Sequence, residues 1–237
     1  EAYVQTLTLK GAADGRLFIR AEIGGDKPNA KLHIVVADPA DGTIVADELL
    51  PAGMRKVRTE IATRAEHLWS PNDPYLYDVT ATLEFGAAKS QGKQEKLQQE
   101  SQEIQEKPAK SQEKQDIVRS YCAFRTVEIK PDLKGIARFH LNGKPVFLKG
   151  VLDQGYWPDG LLTAPSDEAL EHDITAMKEC GFTMLRKHIK IESARWYYHC
   201  DRLGMLVWQD AVSGGGEYNA WATNRKPTLM RATWNKY

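Results

Sequence analysis

The side chains with the greatest chemical capacity gather at three places in the C-terminal half of this 237-residue chain. Asp153, Gln154, Tyr156, Trp157 and Asp159 follow one short apolar run. Lys187, His188 and Lys190 follow a second, and Gln209 and Asp210 follow Trp208 at the end of a third. Carboxylate, amide, imidazole, ammonium and indole groups are those from which acid–base chemistry, polar-ligand binding and aromatic stacking are assembled. Three successive runs ending this way exceed what a random surface supplies. Phosphate chemistry is not indicated, since neither GxGxxG nor GxxxxGK[ST] follows any run. Ser213-Gly214-Gly215-Gly216 opens no helix and has no Lys partner, so it reads as a flexible loop. The three cysteines, Cys122, Cys180 and Cys200, are widely spaced without CxxC, which argues against a disulfide framework or a zinc cluster. Cys180 and Cys200 lie in helical patterns and read as small buried residues. No metal and no cofactor is expected.

The elements that must carry these residues read as strand, helix, strand, helix, strand. Val146–Val151 is a buried-strand run. Ser166 caps a helix whose Leu170, Ile174 and Met177 share a face, and Gly181 ends it. Thr183–Arg186 is a second strand, Glu192–Leu203 a second helix closed by Gly204, and Met205–Trp208 a third strand. That order is a parallel βαβαβ unit. In a parallel barrel the C-terminal strand ends form the mouth at which chemistry is placed. A hairpin signal, Asn142-Gly143 inside Phe139–Leu148, precedes the unit.

Upstream the pattern is different. Arg16–Ile23, Lys31–Asp38, Lys56–Ile61 and Tyr75–Phe85 are short, mostly alternating segments, and Ile117–Ile129 supplies the last strand or pair of strands. They are separated by Asp14-Gly15, Gly24-Gly25-Asp26, Asp41-Gly42 and Pro71-Asn72-Asp73-Pro74, and Glu1–Leu9 also reads as strand. About seven such strands predict a β-sandwich. Residues 87–116 interrupt it with Gln, Glu, Lys and Ser and only Leu97 and Ile104 as sizeable apolar side chains. This run reads as a mobile hairpin insertion, with a solvated helix over Lys93–Lys107 as the alternative. The expected domains are therefore 1–134 and 135–237. Lys and Arg balance Asp and Glu, 32 to 32, so no net field recruits nucleic acid. No stretch approaches the ~18–20 apolar residues of a membrane helix, so neither nucleic acid nor membrane is an expected partner. No signal peptide is read, and an opening Glu instead of Met suggests a cut or processed chain.

Leu68-Trp69-Ser70-Pro71-Asn72-Asp73-Pro74-Tyr75-Leu76-Tyr77 resembles the proline-rich turn of the immunoglobulin-like domain in glycoside hydrolase family 2. This is the family of β-galactosidases, β-glucuronidases and β-mannosidases. Phe124–Ile129 is similar to the strand ending that domain, Phe139–Gly150 to the hairpin and first strand of the family's barrel, and Cys180–Asp210 to its next strands. Where better-known members have an Asn/Arg-His-Glu segment, this chain reads Val151-Leu152-Asp153-Gln154-Gly155-Tyr156-Trp157. Where they have Arg-x-Ser-His-Tyr-Pro, it reads Arg186-Lys187-His188-Ile189-Lys190. These departures put the sugar in doubt, not the family.

The resemblance implies an immunoglobulin-like sandwich followed by an incomplete (β/α)8 TIM barrel of about three βα units. It implies a fragment of a retaining exo-β-glycosidase, β-galactosidase-like, that carries part of the sugar pocket. The family's catalytic glutamates come from later strands, so no catalytic residue is expected and the fragment alone should be inactive. A rival assignment makes Asp153 and Asp210 the catalytic pair. A whole barrel needs about 200–250 residues, so each is read instead as a hydroxyl acceptor or orienting helper. The expected substrate-binding residues are Asp153, Gln154, Trp157, Lys187, His188, Trp208 and Asp210. His188 is alternatively a structural strand-end residue, and Trp157 and Trp208 either stack on a pyranose or fill the barrel. Lys187 and Lys190 would suit an acidic sugar or else are simply solvated. Trp196-Tyr197-Tyr198 should pack on the barrel wall, and Trp69 in the sandwich or an interdomain core. An open barrel edge would favour self-association, and a parent that degrades polysaccharides a periplasmic or secreted location. The alternative function is a non-catalytic carbohydrate-binding or protein-interaction module.

Overall fold

The computed structural model describes residues 2–25, 29–53, 55–85 and 115–210. The insertion expected at 87–116, apart from its last two residues, and the glycine run at 213–216 lie outside them. The chain divides into two compact units. One holds the chain to Leu68 together with Tyr75–Val127, and the other holds Trp69–Pro74 together with the chain from Glu128.

The first unit is all β. Its strands are β1 (Tyr3–Gly11), β2 (Arg16–Gly24), β3 (Ala30–Ala37), β4 (Ile44–Pro51), β5 (Lys56–Ala62), β6 (Tyr77–Phe85) and β7 (Asp116–Cys122). They form two antiparallel sheets, β1-β2-β5 and β4-β3-β6-β7. Alternation decides the core: Leu17, Ile19, Ala21 and Ile23 of β2 meet Leu32, Ile34 and Val36 of β3, with Tyr77, Val79, Ala81 and Leu83 of β6. Burying each large aliphatic side chain contributes about 1.5–3 kcal/mol. β4 has no clean period-2 burial, which is why its sequence gave no strand signal.

The second unit opens within β8 (Val127–Pro131), which forms a small sheet with β9 (Ala137–Leu141) and β10 (Lys144–Pro145). Asn142 and Gly143 turn the β9–β10 hairpin with φ of 51° and 76°, the left-handed pair a tight hairpin requires. A three-stranded parallel sheet follows, β11 (Gly150–Asp153), β12 (Met184–Lys187) and β13 (Leu206–Gln209), with α1 (Asp167–Glu179) and α2 (Ala194–Leu203) as the connections. The Ser166 hydroxyl accepts from the Ala169 N–H at 3.2 Å and caps α1, while Gly204 at φ 75° closes α2. Leu170, Ile174, Leu185, Trp196, Cys200 and Met205 form this unit's core.

Several expectations shift. The first parallel strand is Gly150–Asp153, not Val146–Val151, because Val146 donates back to Phe139 O within the hairpin. Phe147 is consequently exposed. The other two strands each start and end one residue later than expected. Of the two readings of Ile117–Ile129, the pair of strands holds, as β7 and β8, but the two lie in separate sheets. Cys180 is exposed at the C-terminus of α1, while Cys200 is buried as expected. Trp69 lies in the second unit, 1% exposed, its indole N–H donating to Asp201 O at 2.7 Å.

Candidate functional site

Parallel pairing puts Asp153, Lys187 and Gln209 side by side at the ends of β11, β12 and β13, one position beyond Leu152, Arg186 and Trp208. Successive strand residues face opposite ways. Val151, Leu185 and Val207 pack with the helices, so the Asp153–Lys187–Gln209 row faces the helices and the Leu152–Arg186–Trp208 row faces away. What the sequence offers as one collection of polar residues is therefore two clusters, one on each side of the sheet.

The cluster on the open side joins β11's exit to those of its neighbours. Gln154 Nε2 lies 2.8 Å from His188 Nδ1. Arg186 grips Asp210 with two hydrogen bonds, from Nε and Nη2, of 3.0 Å each, the planar fork geometry suited to a carboxylate. The hydrogen bond from Arg186 comes first in holding the Asp210 carboxyl below the usual carboxylate range, with the Arg186 and His188 charges adding to it. The same bond raises the Arg186 guanidinium. Trp208, 44% exposed, stands beside Arg186 in the register and meets Phe139 edge-on at 5.6 Å between ring centres.

The cluster under the helices is buried. Lys187 is 1% exposed; its ammonium bonds Asp153 Oδ2 at 2.7 Å and Glu192 Oε1 at 3.1 Å and lies 4.2 Å from the centre of the Trp196 ring. Lys190 shares Glu192 Oε1 at 2.7 Å and donates to Gly155 O and Leu162 O. Burial works to raise the Glu192 carboxyl, but the hydrogen bonds and charges of Lys190 and Lys187 outweigh it and hold the group below its usual value. Gln209 donates to Lys190 O at 2.8 Å and accepts from the Tyr197 hydroxyl. Two carboxylates and two ammonium groups thus neutralise each other within the fold.

The expected site residues divide accordingly. Gln154, His188, Trp208 and Asp210 come together on the open side. Asp153 and Lys187 belong to the buried cluster. Lys187 and Lys190, taken in the sequence for solvated side chains or anchors for an acidic sugar, are both committed to internal ion pairs, because strand alternation turns Lys187 inward. Trp157 forms a two-bond bridge with Leu161 and packs against the second core. Arg186 was missed as a functional side chain, although counting back two residues from His188 places it on the same face. Glu192 and Tyr197 were also missed; the spacing Lys187, Lys190, Glu192 was their only signal. Among the described residues no group of three or more His, Cys, Asp or Glu could hold a metal ion.

No family model matches the chain. It is 26% identical over 225 residues to β-mannosidase B of Aspergillus terreus, covering 91% of this chain and 23% of that protein. It is 23% identical over 197 residues to a β-galactosidase of Lactobacillus delbrueckii subsp. bulgaricus, covering 83% and 16%. Among solved structures, a Parabacteroides merdae β-glucuronidase superposes with a TM-score of 0.68 at 19% identity, covering 94% of this chain and 26% of that one. The chain spans about a quarter of the length of the curated β-mannosidases it matches, 23% and 26%.

Proposed function

We propose, for a chain of the glycoside hydrolase family 2 type with β-mannosidases, β-galactosidases and β-glucuronidases among its relatives, that it supplies one wall of the sugar pocket of an exo-acting β-glycosidase. In this reading the two-sheet unit is the family's immunoglobulin-like domain, and the parallel unit is the opening of its (β/α)8 barrel. The observation that carries it is the cluster of Gln154, His188, Arg186, Asp210 and Trp208 at the C-terminal ends of three parallel strands, on the face away from the helices. That is where a barrel binds its substrate. His188 and Asp210 would hydrogen-bond sugar hydroxyls, and Trp208 would offer its ring to a pyranose face.

Retaining hydrolysis needs two carboxyl groups about 5 Å apart. Asp153 and Asp210 point to opposite faces of the sheet, and each is held by a cation. The 237-residue chain alone therefore binds without cutting. The sugar is neutral, because Lys187, Lys190 and Arg186 are each matched by a carboxylate, and the galactoside is the neutral sugar we favour from the family resemblance.

The test is to titrate the purified chain with methyl β-galactoside, β-mannoside and β-glucuronide while assaying the aryl glycosides. Saturable binding of the galactoside, at a Kd on the order of 1 mM, with no turnover is expected. Turnover abolished by Asp210→Asn would overturn the non-catalytic assignment, and no binding of any sugar would overturn the pocket. β11 and β13 have no further strand partner among the described residues, so we also propose that the isolated chain self-associates, which sedimentation reads directly.

A further inference from the structure

Among the described residues, the imidazole of His188 has a defined hydrogen-bond neighbour on one ring nitrogen. Gln154 presents its amide nitrogen to Nδ1 at 2.8 Å. The nitrogen end of the amide is the one placed against Nδ1; an amide N–H donates and never accepts, so this placement calls for a lone pair on Nδ1. The neutral ring then carries its proton on Nε2.

The two residues cannot drift apart easily, because each is bracketed by groups fixed on the other side of the sheet. Gln154 sits between Asp153, whose carboxylate bonds Lys187 and the Gly155 N–H, and Gly155, whose carbonyl accepts from Lys190. His188 sits between Lys187 and Ile189, and its own N–H donates to Asp153 O at 2.9 Å. Ile189 has φ of 49°, a left-handed conformation that costs a β-branched residue energy and persists only where its surroundings impose it. Gly155, at φ 61°, holds a backbone conformation that L side chains rarely adopt, and a Cβ there would press on the Glu192 carboxylate and lie 2.7 Å from Lys190 Nζ, displacing the ion-paired ends. The buried ion pairs thus set the two backbones, and the backbones set the side-chain pair.

We infer that Gln154 is a positioning residue that fixes His188 as the Nε2–H tautomer, so that His188 meets its ligand as a hydrogen-bond donor. The consequence for a sugar rests on the pocket reading above: His188 would donate to a hydroxyl oxygen, whereas the opposite tautomer would accept from the hydroxyl. The tautomer itself does not depend on that reading. Substituting Gln154→Glu replaces the amide by a group that only accepts, which requires a proton on Nδ1 and reverses the arrangement without altering size.

Histidine ring nitrogens report this directly. The chain, labelled with ¹⁵N-histidine and held at about pH 8.5, where free imidazole is neutral, is examined by long-range ¹H–¹⁵N correlation. His188 is assigned by loss of its signals in His188→Gln. The parent should show a protonated Nε2 and an unprotonated Nδ1, biased by roughly five- to tenfold. Gln154→Glu should show a protonated Nδ1. A parent ring with its proton on Nδ1, or a Gln154→Glu spectrum identical to the parent, overturns the inference. Adding methyl β-galactoside separates the two readings: if the tautomer is as stated but the sugar leaves His188 signals unmoved, the pocket fails and the tautomer assignment stands.

Discussion

Asp153 and Lys187 are register partners across β11 and β12, and their side chains close a 2.7 Å ion pair on the helix-covered face. Lys187 is buried to 1% exposure and shared between Asp153 and Glu192. Removing one member of a buried charge cluster strands the rest, at a cost of about 3–5 kcal/mol. Lys187→Met should destabilise the second unit by that amount in urea unfolding followed by tryptophan fluorescence. Adding Asp153→Leu should recover part of the loss, because the carboxylate left alone is then gone. A Lys187→Met chain as stable as the parent would show that the cluster contributes nothing net.

Acid should act on the same cluster. The folded Glu192 carboxyl lies below its ordinary value of 4.5, so the unfolded chain binds that proton more readily. Its stabilisation is complete above about pH 5 and is lost as pH falls through the folded value. Glu192→Gln should be less stable than the parent near neutrality, with the gap narrowing steadily below about pH 4.5. Urea midpoints measured from pH 7 to pH 3.5 check this, and a gap that stays constant would assign the acid response to other carboxylates.

The division between what the residues announced and what they concealed follows the range of the interactions involved. The Asn142-Gly143 turn, the Ser166 cap and the alternation in β2 and β6 are local, and each appears as read. The three strand-end groups were legible as a collection. Their partition was not, because it depends on where each strand begins. A one-residue error for β12 leaves it undecided whether Lys187 or His188 is the first side chain past the strand. Arg186 and Glu192 become site residues only through partners 24 and 5 positions away. The sequence leaves Trp69 between the sandwich and an interdomain core for a similar reason: it opens the short segment Trp69–Pro74, which belongs to the second unit although the chain on either side of it belongs to the first.

That placement of Trp69 can be tested. Its indole donates to Asp201 O, and its own carbonyl accepts from Asn142 Nδ2 at 3.0 Å. Lys178 adds a bond to Pro71 O at 3.0 Å and another to Leu203 O, where α2 ends. Trp69→Ala should cost about 3–5 kcal/mol, and hydrogen exchange should accelerate first at the C-terminal turn of α2 and in the β9–β10 hairpin. Loss of protection confined to β2, β3 and β6 would instead tie Trp69 to the first unit.

Asp210→Asn tests whether the open-side cluster favours a neutral ligand. Asp210 matches the Arg186 guanidinium with two oxygens. Asparagine keeps one acceptor and removes the charge, leaving the guanidinium uncompensated beside His188. The Asp210 side chain is 14% exposed but its partner Arg186 is 48% exposed, so the guanidinium stays within reach of water, the fold should tolerate the change and the far-ultraviolet circular dichroism should match the parent. Binding is where the difference belongs. Affinity for methyl β-galactoside should fall about tenfold, since a charged two-oxygen acceptor becomes a neutral one with a single oxygen, while methyl β-glucuronide should gain from the freed cation. Calorimetric titration of both sugars against both chains separates the effects. If the two affinities move together, Asp210 sets how tightly the pocket binds but not which charge it accepts, and the neutral-sugar assignment loses its basis.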